Sequence, residues 1–62
     1  MIQLTEIDGE KIWVNPSLVL YVKANVRGHA VLFFIATDRD GDLRALEVNE
    51  SPDEVSKKFK KG

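Results

Sequence analysis

Apolar and polar residues alternate from the start of the chain. Ile2 and Leu4, then Ile12 and Val14, place aliphatic side chains at every second position, the period of a strand with one buried face. Ile7-Asp8-Gly9 separates the two runs. A two-residue Asp-Gly turn would scatter the apolar residues over both faces of the hairpin. A three-residue loop, a type I turn closed by Gly9 as a left-handed bulge residue, pairs Leu4 with Ile12 and Ile2 with Val14. Burial of one face fixes register, so the second pairing is the expected one. It puts Trp13 on the opposite face with Gln3, Thr5 and Lys11.

Asn15-Pro16-Ser17 ends the second strand, because proline offers no N–H to a ladder and restricts the residue before it. A third strand is expected over Leu18 to Ala24, with Leu18, Leu20 and Val22 on one face and Val19, Tyr21 and Lys23 on the other. Asn25 to His29, which contains Gly28, reads as a turn. Ala30 to Thr37 reads as a fourth strand, apolar on both faces, with Phe33 and Phe34 pointing to opposite sides. The polar turn Asp38-Arg39-Asp40-Gly41-Asp42 follows, then a weaker fifth strand over Leu43 to Val48.

The C-terminal segment carries the sharpest local signal. Ser51-Pro52-Asp53-Glu54 is a capping box with proline at the first helical position. Acids then open the helix and Lys57, Lys58, Lys60 and Lys61 close it, matching the helix dipole. Asp53 with Lys57 and Glu54 with Lys58 stand at the spacing of helical ion pairs. Val55 and Phe59 form its apolar stripe and are expected to dock on the sheet or on a neighbouring subunit. The fold class is therefore mainly β: a small five-stranded antiparallel meander, or a curled barrel-like sheet, with one short C-terminal α-helix in a single domain over residues 1–62.

Composition narrows what such a domain can be. Sixty-two residues bury only about 60% of their unfolded surface, so stability rests on an economical core or on a partner subunit. Cysteine is absent and His29 is the single histidine, which removes disulfides, thiolate sites and histidine-rich zinc sites; no cofactor is expected. The net charge of −1 gives no field to draw nucleic acid or acidic lipid. MIQLTEIDG lacks the basic and apolar regions of a signal peptide, and the apolar run Ala30 to Ala36 is too short to span a bilayer. These features lead to the expectation of a cytoplasmic protein.

Candidate chemistry is sparse. Asp38, Asp40 and Asp42 invite a calcium reading, but an EF-hand needs glycine sixth and glutamate twelfth. Counting from Asp38, glycine falls fourth and the twelfth residue is Asn49, so a solvated turn is expected. Ser17, Ser51 and Ser56 lack a nucleophile-elbow context, and no nucleophile–base–orienter set is present, so an enzyme is not expected. The lysines around Phe59 resemble a small polybasic patch, but dipole complementation and solubility explain them.

The aromatic residues say more. A sheet apolar on both sides needs two covers, and one helix with two apolar contacts covers part of one side. Either the sheet curls on itself or a second copy of the chain covers it. Trp13 and Tyr21, with Val55 and Phe59, are the candidate protein-interface residues, against the simpler arrangement in which Trp13 packs under Val55 and Phe59.

Met1-Ile2-x-Leu4-Thr5 with Asp8-Gly9, the Asn15-Pro16 pair and the ending Glu50-Ser51-Pro52-Asp53-Glu54-Val55 together resemble the small flagellar FlbD (SwrD) proteins. The likeness covers residues 1–22 and 47–56, and the stretch Asn25 to Leu43 is longer than that family's hairpin. It implies a short bacterial cytoplasmic protein tied to flagellar operons and swarming motility. Met1-x-x-Leu4-Thr5-x-x-x-Gly9-Glu10-x-Ile12 is also similar to the start of the CsrA-type RNA-binding regulators, which are interleaved five-stranded dimers. Those have a basic residue where this chain has Glu6. The two likenesses imply different functions: a non-catalytic interaction or regulatory protein with a protein partner or itself, or a homodimeric RNA-binding regulator using Arg39, Arg44, Lys57, Lys58, Lys60 and Lys61.

Overall fold

The computed structural model describes residues 1–61. Strands β1 (Ile2–Thr5) and β2 (Lys11–Val14) form an antiparallel ribbon; β3 (Val19–Ala24), β4 (Ala30–Thr37) and β5 (Leu43–Glu47) form a second antiparallel sheet in the order β3-β4-β5. Helix α1 spans Pro52–Lys61. The architecture is mainly β with one C-terminal helix, as expected. It is not one continuous five-stranded sheet, and neither sheet closes into a barrel.

The first hairpin takes the bulged register. Ile2 pairs with Val14 and Leu4 with Ile12. The Glu6 N–H donates to the Glu10 carbonyl and the Gly9 N–H to the Glu6 carbonyl, both at 2.8 Å. Gly9 has φ +94°, a conformation that a Cβ strongly disfavours. The other two hairpins repeat the construction, from Asn25 to His29 and from Asp38 to Asp42. In both, the side chain that opens the turn accepts backbone N–H groups: Asn25 Oδ1 from Arg27 and His29, and Asp38 Oδ1 from Asp40 and Asp42. This is the local bonding that makes Asn and Asp turn residues.

The ribbon separates from the larger sheet at Asn15-Pro16. Asn15 Oδ1 accepts from the Ser17 N–H and hydroxyl, and Pro16–Leu18 wind into a single 3-10 turn. Leu18 therefore belongs to that turn and not to the third strand. A bulge between Val19 and Tyr21 corrects the expected faces of β3. Val19 pairs with Phe34 and Val22 with Leu32, so these two valines pack against the core. Leu20 is displaced and 55% exposed. The extra residue in a bulge reverses the alternation on one side of it, so a strict period of two cannot hold across β3.

Residues 48–50 staple the two sheets. Val48 bridges to Glu6, the Asn49 N–H donates to the Thr5 carbonyl at 2.8 Å, and the Ala30 N–H donates to the Glu50 carbonyl at 2.8 Å. The Glu50 side chain adds a bond, with Oε1 accepting the Thr5 N–H at 3.0 Å. Ser51 and Glu54 then form the reciprocal capping box, through Glu54 N–H to Ser51 Oγ and Ser51 N–H to Glu54 Oε1. The core gathers where these pieces meet: Ile2, Leu4, Val14, Ala30, Leu32, Val48 and Val55 are buried, with Ile12, Val19, Val22, Phe34, Leu46 and Phe59 packed around them.

Candidate functional site

The register of the three-stranded sheet lays out its second face row by row. Lys23 pairs with Val31 and Val31 with Glu47; Tyr21 pairs with Phe33 and Phe33 with Ala45. Leu32 and Phe34 point into the core, so alternation turns Val31 and Phe33 to the outer side; beyond Phe33 the pairing with β5 shifts register, and Ile35 there is exposed. The Tyr21 and Phe33 rings stack with centroids 4.7 Å apart and planes at 19°. Lys23 Nζ lies 5.8 Å from the Tyr21 ring centroid, a cation–π contact at the edge of the stack. Tyr21 remains 43% exposed and Ile35 53%. The result is an open apolar face bounded by Lys23 along one strand and by Glu47 along another.

Glu47 has its own setting at the end of that face. Its Oε2 receives Asn25 Nδ2, lies 3.3 Å from His29 Nδ1 and lies 3.5 Å from Arg27 Nη2. Desolvation pushes the carboxyl pKa up, but the bonds from Asn25 and His29 and the charges of Arg27 and His29 outweigh it and hold the pKa below the usual 4.5. His29 closes the expected turn and is half-buried against this carboxylate. Glu50 is the other perturbed acid. Desolvation again raises its pKa, but the N–H donated by Thr5, its own backbone N–H and the Lys58 charge bring it below 4.5.

The remaining candidate residues scatter. Trp13 stands on the outer face of the ribbon opposite Gln3, 61% exposed, so it does not pack under the helix. Val55 is fully buried in the core and Phe59 is packed against it. Both dock on the sheets as expected, and Val55 is removed from any accessible surface. Arg39 lies in the exposed turn after β4 and Arg44 is exposed on β5. Lys57, Lys60 and Lys61 are exposed, but Lys58 is committed internally: Nζ donates to the Gln3 carbonyl at 2.8 Å and lies 3.7 Å from Glu50. It leaves the expected pairing with Glu54, whose carboxylate serves the cap.

A shallow depression lined by Ile2, Gln3, Lys58 and Lys61 sits beside that contact. Among the described residues no three acidic, histidine or cysteine side chains converge on a metal position. Also among them, no helix is long and apolar enough to cross a membrane. Sequence reasoning missed Phe33 as the partner of Tyr21 and Glu47 as the centre of a polar cluster. The latter has no local signal, because Glu47 stands 22 positions from Asn25 and 18 from His29. No protein-family model, curated protein or solved structure matches the chain.

Proposed function

We propose that this chain is a small non-catalytic interaction or regulatory protein that works through the outer face of its three-stranded sheet. The observation that carries the reading is the Tyr21–Phe33 stack, set on a direct cross-strand pair and left open beside an exposed Ile35. Aromatic side chains presented on a rigid frame are the usual anchors of protein interfaces, because they bring large area at small cost in side-chain entropy. Trp13 offers a second exposed aromatic on the ribbon. The likeness to the small flagellar proteins supplies the process, bacterial motility in the cytoplasm, and flagellar genes beside this one would support it.

The test replaces Ile35 with a photo-crosslinking amino acid and exposes the folded protein to an extract of its native host. A discrete adduct that disappears in Tyr21→Ser supports the reading; no adduct at any concentration contradicts it. The RNA-binding alternative is checked alongside, by a gel shift at two salt concentrations. A salt-sensitive shift lost on replacing Arg39 and Arg44 would transfer the function to the basic residues.

A further inference from the structure

We infer that the occupant of this face is a second copy of the same chain, stacked sheet on sheet about a two-fold axis that runs parallel to the strands along β4. The inference rests on the interaction reading and specifies its partner. Its warrant is the order of residues across the rows. A two-fold axis of that direction keeps each row level and exchanges the two outer strands, so β3 of one copy lies over β5 of the other. Lys23 then faces the second copy's Glu47, and Glu47 faces the second copy's Lys23, because both residues flank Val31 in a single row. In the adjoining row, Tyr21 comes over the second copy's Ala45. A large side chain meets a small one on each side of the axis, while Val31 and Phe33 meet their own copies on it. The alternative two-fold, running across the strands, places β3 over β3 and brings neither match.

The charges are available for this. Among the described residues Lys23 has no carboxylate partner. All three contacts to Glu47 fall on Oε2, and Oε1 accepts no hydrogen bond among the described residues. Stacked sheets lie about 10 Å apart and cross at about 30°, so the axis lies about half that angle from β4, and the resulting offset at the outer strands is one that the long lysine side chain can follow. The net charge of −1 opposes association only weakly. A stable pair at the small end of protein interfaces needs about 600 Å² from each copy, against an accessible surface of 4357 Å². An isologous contact of this kind is self-complementary and closes as a dimer.

Sedimentation equilibrium from about 5 µM to 500 µM, spanning the range of weak to moderate affinities, tests it by charge exchange. Lys23→Glu opposes two carboxylate pairs in the homodimer and is expected to weaken association about thirtyfold. Glu47→Lys opposes two lysine pairs and weakens it similarly. Mixing the two variants, or combining them in one chain, restores attraction at both positions and returns the affinity to near that of the parent. Circular dichroism confirms that each variant is folded, and Lys23→Glu carries the test if Glu47→Lys disturbs the turn that Glu47 holds. A parent chain that stays monomeric throughout, or single variants that dimerise as well as the parent, overturns the inference. An Ile35 adduct with a different protein, from a monomeric parent, would overturn self-association while leaving the interaction reading standing; absence of both would remove the two together.

Discussion

The two faces of strand β4 are built from similar side chains and have different fates. Ala30, Leu32 and Phe34 point inward, and the chain covers them with Val19, Val22, Leu46, Val48 and Val55. Val31 and Phe33 point outward beside an exposed Ile35, and their cross-strand neighbours are Lys23 and Glu47 in one row and Tyr21 and the small Ala45 in the other. Hydropathy alone does not separate the two sets. What separates them is supply: the single amphipathic helix and the β1–β2 ribbon both go to one side. Among the described residues no element covers the second face, and an apolar face left open is either a liability or an interface.

The largest expected effect of a single substitution lies on the inner face. Leu32 is fully buried, and Leu32→Ala is expected to cost about 2–5 kcal/mol. A domain of this size holds about 3–9 kcal/mol in total, so urea or thermal unfolding should find the variant near or below its folding threshold. The staple between the sheets comes next. Glu50→Ala leaves the Thr5 N–H without its acceptor in a part-buried position and is expected to lower stability by about 1–3 kcal/mol. Glu50→Gln keeps an acceptor oxygen and should lose less.

The pH dependence follows the same residue. The Glu50 carboxyl titrates below the usual 4.5 in the folded protein, so the unfolded chain takes up its proton first as pH falls. The stabilisation from its ionised form is present above about pH 4.5 and is lost as pH drops through the folded value. Glu47 contributes in the same direction. A denaturation series from pH 6 downward should fall below pH 4.5 in the parent and fall less steeply in Glu50→Gln.

Smaller effects sharpen the contrast. Gly41 has φ +83° in the turn after β4, and Gly41→Ala is expected to cost about 1 kcal/mol, or a few degrees in melting temperature. Ile35→Ser on the outer face should change the stability of the isolated chain by no more than about 0.5 kcal/mol, despite removing an apolar residue from the same strand as Leu32. Trp13→Ala should be equally mild. A large loss at Ile35 in a monomeric sample would show that the outer face is part of the fold.

Much of this was legible in the residues. The Ile2, Leu4, Ile12 and Val14 pattern yields the hairpin register because only one pairing gathers four aliphatics on a face. Ser51 and Glu54 yield the start of the helix because capping is local. The bulge at Leu20 was not legible: Val19-Leu20-Tyr21-Val22 are all good strand formers, and the shift is set by what Phe34 and Leu32 meet across the ladder. The division into two sheets was half visible at Asn15-Pro16. Its counterpart, the bond from the Thr5 N–H to the Glu50 carboxylate, spans 45 positions and has no local signature. The same holds for Phe33: its place on the fourth strand was readable, but its stacking on Tyr21 depended on a register that the bulge decides.

The central claim is that β4 has one face committed to the fold and one reserved for a partner. Methyl-resolved NMR with a soluble paramagnetic agent, recorded on the parent chain at low and high concentration, reads both faces at once. Val31 and Ile35 methyls should be strongly relaxed in the dilute sample and protected in the concentrated one, while Leu32 and Val48 stay protected in both. Outer methyls protected even at the lowest concentration in a monomer, or relaxed equally at every concentration and with host extract added, would contradict it.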